Sequence, residues 1–308
     1  MIAIRDLRVD YDRLCAVQDL TLSVAPGEVC GLIGPNGAGK TTVMRAILGL
    51  VEPTYGSITV AGVDMRERPR DGFRHIGFMP DQPPLYDDLT CWEFLDLFAA
   101  SYGVPSASRD GACHAALEQV GLSAKANTLT IELSRGMRQR LMIAKTLLPD
   151  PEVIILDEPA SGIDPQGRSD LKNMVRELAR RGRAVLVSSH ILTELQEMCT
   201  SVAIMERGRM VVSGPVGDVS RHVMGTTVYT ARILAGGETF LRLLESDGRA
   251  GVPAEEADGV RFAYAGTTAD AADLLTRLVQ AGVRVAAFGP RESGLEEIFL
   301  KVGARELS

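Results

Sequence analysis

No stretch of eighteen or more apolar residues occurs in this 308-residue chain, so the sequence offers no segment able to cross a bilayer as a helix. The N-terminus, Met1-Ile2-Ala3-Ile4-Arg5-Asp6, lacks the basic stretch and apolar run of a secretory leader. Cysteine is sparse and scattered. Cys15, Cys30, Cys91, Cys113 and Cys199 are odd in number and lack metal-like spacing, which reads as free thiols in a reducing compartment. Positive charge is not in excess: a net charge of −7 gives no electrostatic reason to expect nucleic acid as a partner. Internal repeats and low-complexity segments are missing too, which argues against a solenoid or a disordered chain. We therefore expect a soluble cytoplasmic protein, reaching a membrane only through a partner. The hydrophobic (45%) and charged (24%) fractions are those of an ordinary globular protein, and the length suits two domains.

Against this background one stretch stands out. Gly34-Pro35-Asn36-Gly37-Ala38-Gly39-Lys40-Thr41-Thr42 fits G-x-x-x-x-G-K-[ST], the phosphate-binding loop. A short apolar run, Val29–Ile33, precedes it, and a run with helical spacing, Thr42–Leu48, follows. That is the strand–loop–helix context in which the motif has meaning. The glycines let successive backbone N–H groups turn toward an anion, and the new helix adds its dipole. Lys40 would reach the β- and γ-phosphates of a nucleotide, and the Thr41 hydroxyl would ligate Mg²⁺.

Alternation and apolar runs predict strands over 2–9, 21–24, 29–33, 57–60, 75–79, 153–156, 184–187, 202–205 and 210–213. Between Pro80 and Pro151 the pattern turns helical, at 92–102, 112–120 and 134–148, making an insert of about seventy residues. Further helices are expected over 166–181 and 191–198. Val153-Ile154-Ile155-Leu156 reads as a buried parallel strand and ends in Asp157-Glu158. Ligands of open parallel sheets gather at the carboxyl ends of strands, so these acids should converge on Lys40. Asp157 would hold Mg²⁺, and Glu158 would accept a proton from, or orient, an attacking water. After a loosened stretch around 215–224, the order strand, helix, loop, strand, helix, strand and a terminal helix from Leu295 predicts a second, small α/β unit without a chemical motif.

Leu133-Ser134-Arg135-Gly136-Met137-Arg138-Gln139-Arg140 completes the pattern. Ser134 suits a helix N-cap, but Gly136 is costly inside a helix unless something such as a phosphate approaches closely. With this segment between the phosphate loop and Asp157-Glu158, the chain resembles the ABC (ATP-binding cassette) ATPases over about residues 1–215. Ser134 and Gly136 match the LSGGQ signature, while Arg135 and Met137 depart from it. The resemblance implies an α/β P-loop NTPase with a RecA-like core, an antiparallel β subdomain and a helical subdomain at about 81–150. Residues 225–308 look like the accessory domain of bacterial export-type systems, a small α/β unit expected to be ferredoxin-like. Residue by residue, Tyr11 matches the aromatic that stacks on adenine, Ser161-Gly162-Ile163-Asp164 the loop that crosses the dimer interface, and His190 the histidine that contacts the γ-phosphate. After Pro80 the family usually has Gln; here Asp81 and then Gln82 stand there, and either could serve Mg²⁺ or the water.

The resemblance further implies a head-to-tail dimer around two ATP, with Mg²⁺, in which Ser134 serves the partner's nucleotide. Glu158, His190 and Lys40 would carry hydrolysis. The subunit would be a homodimer, or paired with a second ATPase subunit, at the cytosolic face of the membrane. There it would drive an integral membrane permease, for export, docked at the Pro80–Leu89 loop and the helical insert, with Leu85, Tyr86 and Phe94 as apolar contacts. The alternative is a non-transport ABC ATPase acting on a soluble or nucleic-acid partner. Such proteins usually carry a long coiled coil or two cassettes, which this chain lacks. No Asn-Lys-x-Asp segment is present to read guanine.

Overall fold

A computed structural model describes residues 1–12, 14–81, 85–189, 195, 198–219, 227–256 and 259–291. His190, Gln82, the expected terminal helix from Leu295 and most of 191–198 lie outside the described residues. The chain divides into two compact units, Met1–Gly214 and Pro215–Ser308.

In the first unit the elements run β1 (Ile2–Tyr11), β2 (Leu14–Val24), β3 (Val29–Ile33), α1 (Lys40–Ile47), β4 (Tyr55–Val60), β5 (Val63–Asp64), α2 (Pro69–Phe73) and β6 (Ile76–Met79). They continue with α3 (Cys91–Ser101), α4 (Ser106–Gln119), α5 (Arg135–Leu147), β7 (Val153–Leu156), α6 (Pro165–Arg180), β8 (Ala184–Ser189), β9 (Ser201–Glu206) and β10 (Arg209–Pro215). Two sheets share the core. One is antiparallel, in the order β2-β1-β4-β5; the other has six strands, β10-β9-β3-β8-β7-β6. The pairs of β9, β3, β8, β7 and β6 are all parallel. Every residue of β3, β7 and β8 is buried, which is why these strands read as unbroken apolar runs. Their side chains join those of β1, β2, β4 and α1 in one hydrophobic cluster.

Between β6 and β7, α3, α4 and α5 form the helical insert. Thr90 starts α3 with a reciprocal capping box to Glu93. Phe94 is fully buried there, its ring 4.9 Å from that of Phe98. It is therefore a core residue and not a docking contact, whereas Tyr86 is exposed.

The second unit is β11 (Thr227–Ala235), α7 (Gly237–Asp247), β12 (Ala254–Glu256), β13 (Gly259–Tyr264), α8 (Thr268–Gln280) and β14 (Arg284–Arg291). Its sheet order is β12-β13-β11-β14, with every pair antiparallel. This is the β-α-β-β-α-β, ferredoxin-like arrangement. Tyr229, Phe262 and Tyr264 from the sheet meet Phe240, Leu244, Leu274 and Leu278 from the helices in a separate core.

Candidate functional site

Strand register decides which chain ends meet. Ile33 at the end of β3 pairs with Ser189 of β8, and Leu156 at the end of β7 pairs with Val187. Asp157, one residue further, therefore lies beside Ser188. Met79 pairs with Leu156, and the Asp157 N–H donates to the Met79 carbonyl at 2.9 Å, which brings Asp81 to the same edge. The phosphate loop, the two acids and Asp81 thus share one cleft of about 600 Å³, lined also by Tyr11, Leu14, Cys15, Ala16, Arg207 and Gly208.

The phosphate loop is held by backbone geometry. Gly39 adopts φ +100° as the residue before α1, and no side chain caps that helix. A Cβ on Gly39 would approach the Ala16 carbonyl to 2.7 Å, so both conformation and space require glycine. Lys40 is 7% exposed. Its Nζ donates to the carbonyls of Gly34 (2.6 Å) and Pro35 (3.2 Å). Burial pushes its pKa down, against the opposing pull of Glu158 and Asp157.

Asp157 is also 7% exposed. Burial raises its carboxyl pKa; the Ser188 hydrogen bond works the other way, and the charges of Glu158 and Asp81 add to the rise. Ser188 Oγ donates to Asp157 Oδ1 at 2.5 Å and accepts from the Glu158 N–H at 2.9 Å. One hydroxyl thereby fixes both acids. Glu158 itself sits at φ +49°, a sparsely populated conformation for a non-glycine residue that proteins tend to keep where geometry serves function.

Hard oxygen donors of this kind, Thr41 and a buried carboxylate, suit Mg²⁺. Among the described residues no group of three or more His, Cys, Asp or Glu side chains could hold a metal unaided.

Tyr11 ends β1 at the rim of the cleft, 40% exposed. Ser134 and Gly136 do not line the cleft. Ser134 caps α5, accepting from the Met137 N–H at 3.3 Å. A Cβ on Gly136 would meet nothing closer than Asp164 Oδ1 at 3.8 Å, so its own subunit does not require glycine there. Asp164 caps α6, accepting from the Gly167 N–H at 3.2 Å, with Pro165 in the first turn as expected.

Two residues escaped the sequence reading. Ser188 had no motif, only its place two residues before His190 at a strand end. Arg207 lies in the β9–β10 turn, which is legible as a hairpin but not as part of the cleft. The Gly208 N–H donates to the Ala38 carbonyl at 3.0 Å and the Gln18 N–H to the Gly208 carbonyl at 2.7 Å, so the turn is tied to the phosphate loop and β2. Arg207 is held at φ +46°.

Comparison with known proteins decides the family. The family described as ABC transporter matches residues 17–161. The Nod factor export ATP-binding protein I of Cupriavidus pinatubonensis is 33% identical over the whole of this chain and 92% of its own length. The chain belongs to the ATP-binding subunits of ABC transporters. It is thus an ATP-binding and ATP-hydrolysing subunit. The Nod factor export ATP-binding protein I of Rhizobium etli is 32% identical over 98% of this chain and 93% of its own length. Among solved structures, an ATP binding subunit of an ABC transporter is 33% identical, covering 72% of this chain and 92% of its own, with a TM-score of 0.66. The cbiO1 protein from Clostridium perfringens, part of the ABC transporter complex cbiONQ, matches at 25% identity and a TM-score of 0.66, over 71% of this chain and 89% of its own. As an ABC ATP-binding subunit, the chain carries among its described residues no helix long and apolar enough to span a membrane.

Proposed function

We propose that the subunit hydrolyses Mg²⁺-ATP in composite sites, each built from the cleft of one cassette and the signature helix of another, and that this drives an export permease. The observation that carries the reading is the separation of Ser134 and Gly136 from the cleft that holds Lys40, Thr41, Asp157 and Glu158. In this reading one subunit builds half of the site, and Gly136, which nothing in its own subunit requires, would serve a surface from outside. The name of the relatives, which are export proteins, supports the direction of transport.

In this reading Tyr11 stacks on the base, and the N–H groups of 37–42 and the start of α1 hold the phosphates. Lys40 exchanges its loop carbonyls for phosphate oxygens. Arg207 adds positive charge to the wall of the cleft. Thr41 and Asp157, with Asp81 or Gln82, would hold Mg²⁺, which supplies charge neutralisation of the transferring phosphoryl group. Glu158 orients the attacking water and takes its proton. His190 completes charge stabilisation with Lys40. Closure on ATP and opening after hydrolysis would move the permease, with the subunit peripheral at the cytosolic face, paired with itself or a second ATPase subunit, and residues 225–308 as an accessory domain.

The test is a pair of variants. Lys40→Ala and Ser134→Arg should each abolish hydrolysis, since each damages one side of every composite site. Hydrolysis at the wild-type rate in Ser134→Arg, with Lys40→Ala inactive, sinks the head-to-tail arrangement. Affinity purification of ATP-trapped Glu158→Gln from detergent-solubilised native membranes addresses the partner. A stoichiometric polytopic membrane protein supports the transporter reading, and a soluble or nucleic-acid partner alone overturns it.

A further inference from the structure

The signature departs from LSGGQ at Arg135, and the structure shows what that arginine touches. Gly162, in the turn between β7 and α6, has φ +68°, and a Cβ built on it would fall on the Arg135 guanidinium. The positive φ favours glycine there, and the tip of the Arg135 side chain occupies the space that a Cβ would take. One turn along α5, Gln139 Nε2 donates to the Pro159 carbonyl, and the next residue, Arg140, pairs with Asp170 of α6 at 2.5 Å. Residues 135 and 139 share a helix face at i, i+4 spacing, so that face of α5 meets the segment 159–162 at two points, and Arg140 adds an ion pair to α6 from the neighbouring face.

Arg135 is otherwise poorly placed. It is exposed, in the first turn of α5, where the helix dipole disfavours a cation. Among the described residues no carboxylate pairs with it, and its flat guanidinium lies over backbone instead, a contact that the compact ammonium of lysine cannot reproduce. We propose that Arg135 is a positioning residue that clamps the Ser161–Gly162 turn to the start of the signature helix. The two parts of a cassette that face its partner then keep a fixed spacing, and α5 cannot shift without carrying the turn. The clamp stands on contacts within one subunit; its consequence for hydrolysis rests on the head-to-tail reading above.

The experiment compares full-length wild type, Arg135→Ala, Arg135→Lys, Gly162→Ala and the distant surface control Arg66→Ala. Hydrogen exchange is followed without nucleotide, and ATP affinity and kcat are measured separately. Arg135→Ala should speed exchange about tenfold in the peptide spanning 159–163 and leave the phosphate loop unchanged. Its kcat should fall about tenfold with ATP affinity intact, because the nucleotide-binding half of the site is untouched. Arg135→Lys should fall between. Gly162→Ala displaces the guanidinium but also strains the turn through its positive φ, so it marks only the upper limit of the exchange effect, and Arg135→Lys carries the test if Arg135→Ala folds poorly. Unchanged exchange over 159–163 in Arg135→Ala, or in Arg135→Lys where Arg135→Ala does not fold, overturns the clamp. Faster exchange with an unchanged kcat overturns its role in hydrolysis. A wild type that proves not to work head-to-tail removes that reading, while the exchange data still decide the clamp.

Discussion

Two buried aspartates, one in each unit, are shifted in opposite directions. The Asp247 side chain in the second unit is 1% exposed. Burial alone would push its carboxyl up, but hydrogen bonds from Arg277 and Arg249 outweigh that and hold it below its ordinary value. Arg249 also reaches Asp270 at 2.5 Å, and Asp270 closes a reciprocal capping box with Thr267 at the start of α8. Every charge there has a partner supplied by the fold. Asp157 in the first unit faces two other carboxylates, with the Lys40 ammonium as the weakest of the influences on it, and is pushed up. A buried charge that the protein completes is a structural feature, whereas one left for something else to complete marks a site. α1 begins without a side-chain cap, as does α7, whereas α8 has one.

The sharpest way to test that contrast is to remove function without touching stability. Glu158→Gln should lower ATP hydrolysis by about 10²–10⁴-fold, measured as phosphate release, while ATP still binds and thermal unfolding shifts little. A large loss of stability would put Glu158 among the structural charges instead. Next in size, Asp247→Asn should destabilise the second unit by about 1–2 kcal/mol. We place it below the usual cost of breaking a buried pair because Arg249 and Arg277 are 42% and 43% exposed. Hydrolysis should be unaffected. Since the folded pKa of Asp247 is depressed, the stability it contributes is present above its ordinary value of 3.8 and is lost as pH falls through the lower, folded value. The gap between wild type and variant in thermal unfolding should therefore close in acid.

Asp157→Asn should do the reverse, and its effect on stability is the smallest. The amide oxygen can still accept from Ser188, so the nucleotide-free protein should gain about 2 °C in Tm while hydrolysis is lost. Here the folded pKa is raised above 3.8, so the ionised side chain costs stability at neutral pH. The advantage of the variant should fade as pH falls through that raised value. A variant less stable than wild type at pH 7 would mean that Asp157 is already paired, and the contrast with Asp247 would fail.

Which parts of this were legible in the sequence follows from what each depends on. The phosphate loop, Asp157-Glu158 and the signature are contiguous motifs, and their identity survives translation into three dimensions. The buried strands β3, β7 and β8 announce themselves because both faces are apolar. β2 begins at Leu14 and not at Thr21, because shifts in its register with β1 break the alternation. α4 begins at Ser106, six residues before its apolar spacing. β12 is exposed at all three positions and reads as loop, which hid the fourth strand of the ferredoxin-like unit. Ser188 and Arg207 reach the site only through strand register and a hairpin tie, and neither is written in local pattern. Phe94 shows the opposite failure: a core ring and a docking ring have the same sequence signature.

The bare start of α1 has a consequence for the lifetime of the protein. A helix whose first N–H groups are left to a ligand makes the folded cassette a sensor of its own substrate. At a hundredfold excess of ATP over its Kd, mass action alone adds about 2.7 kcal/mol to the folded state. When cellular energy falls, the subunit loses not only its fuel but part of what keeps it folded. The unfolded fraction is then expected to rise, which protease sensitivity with and without ATP would show.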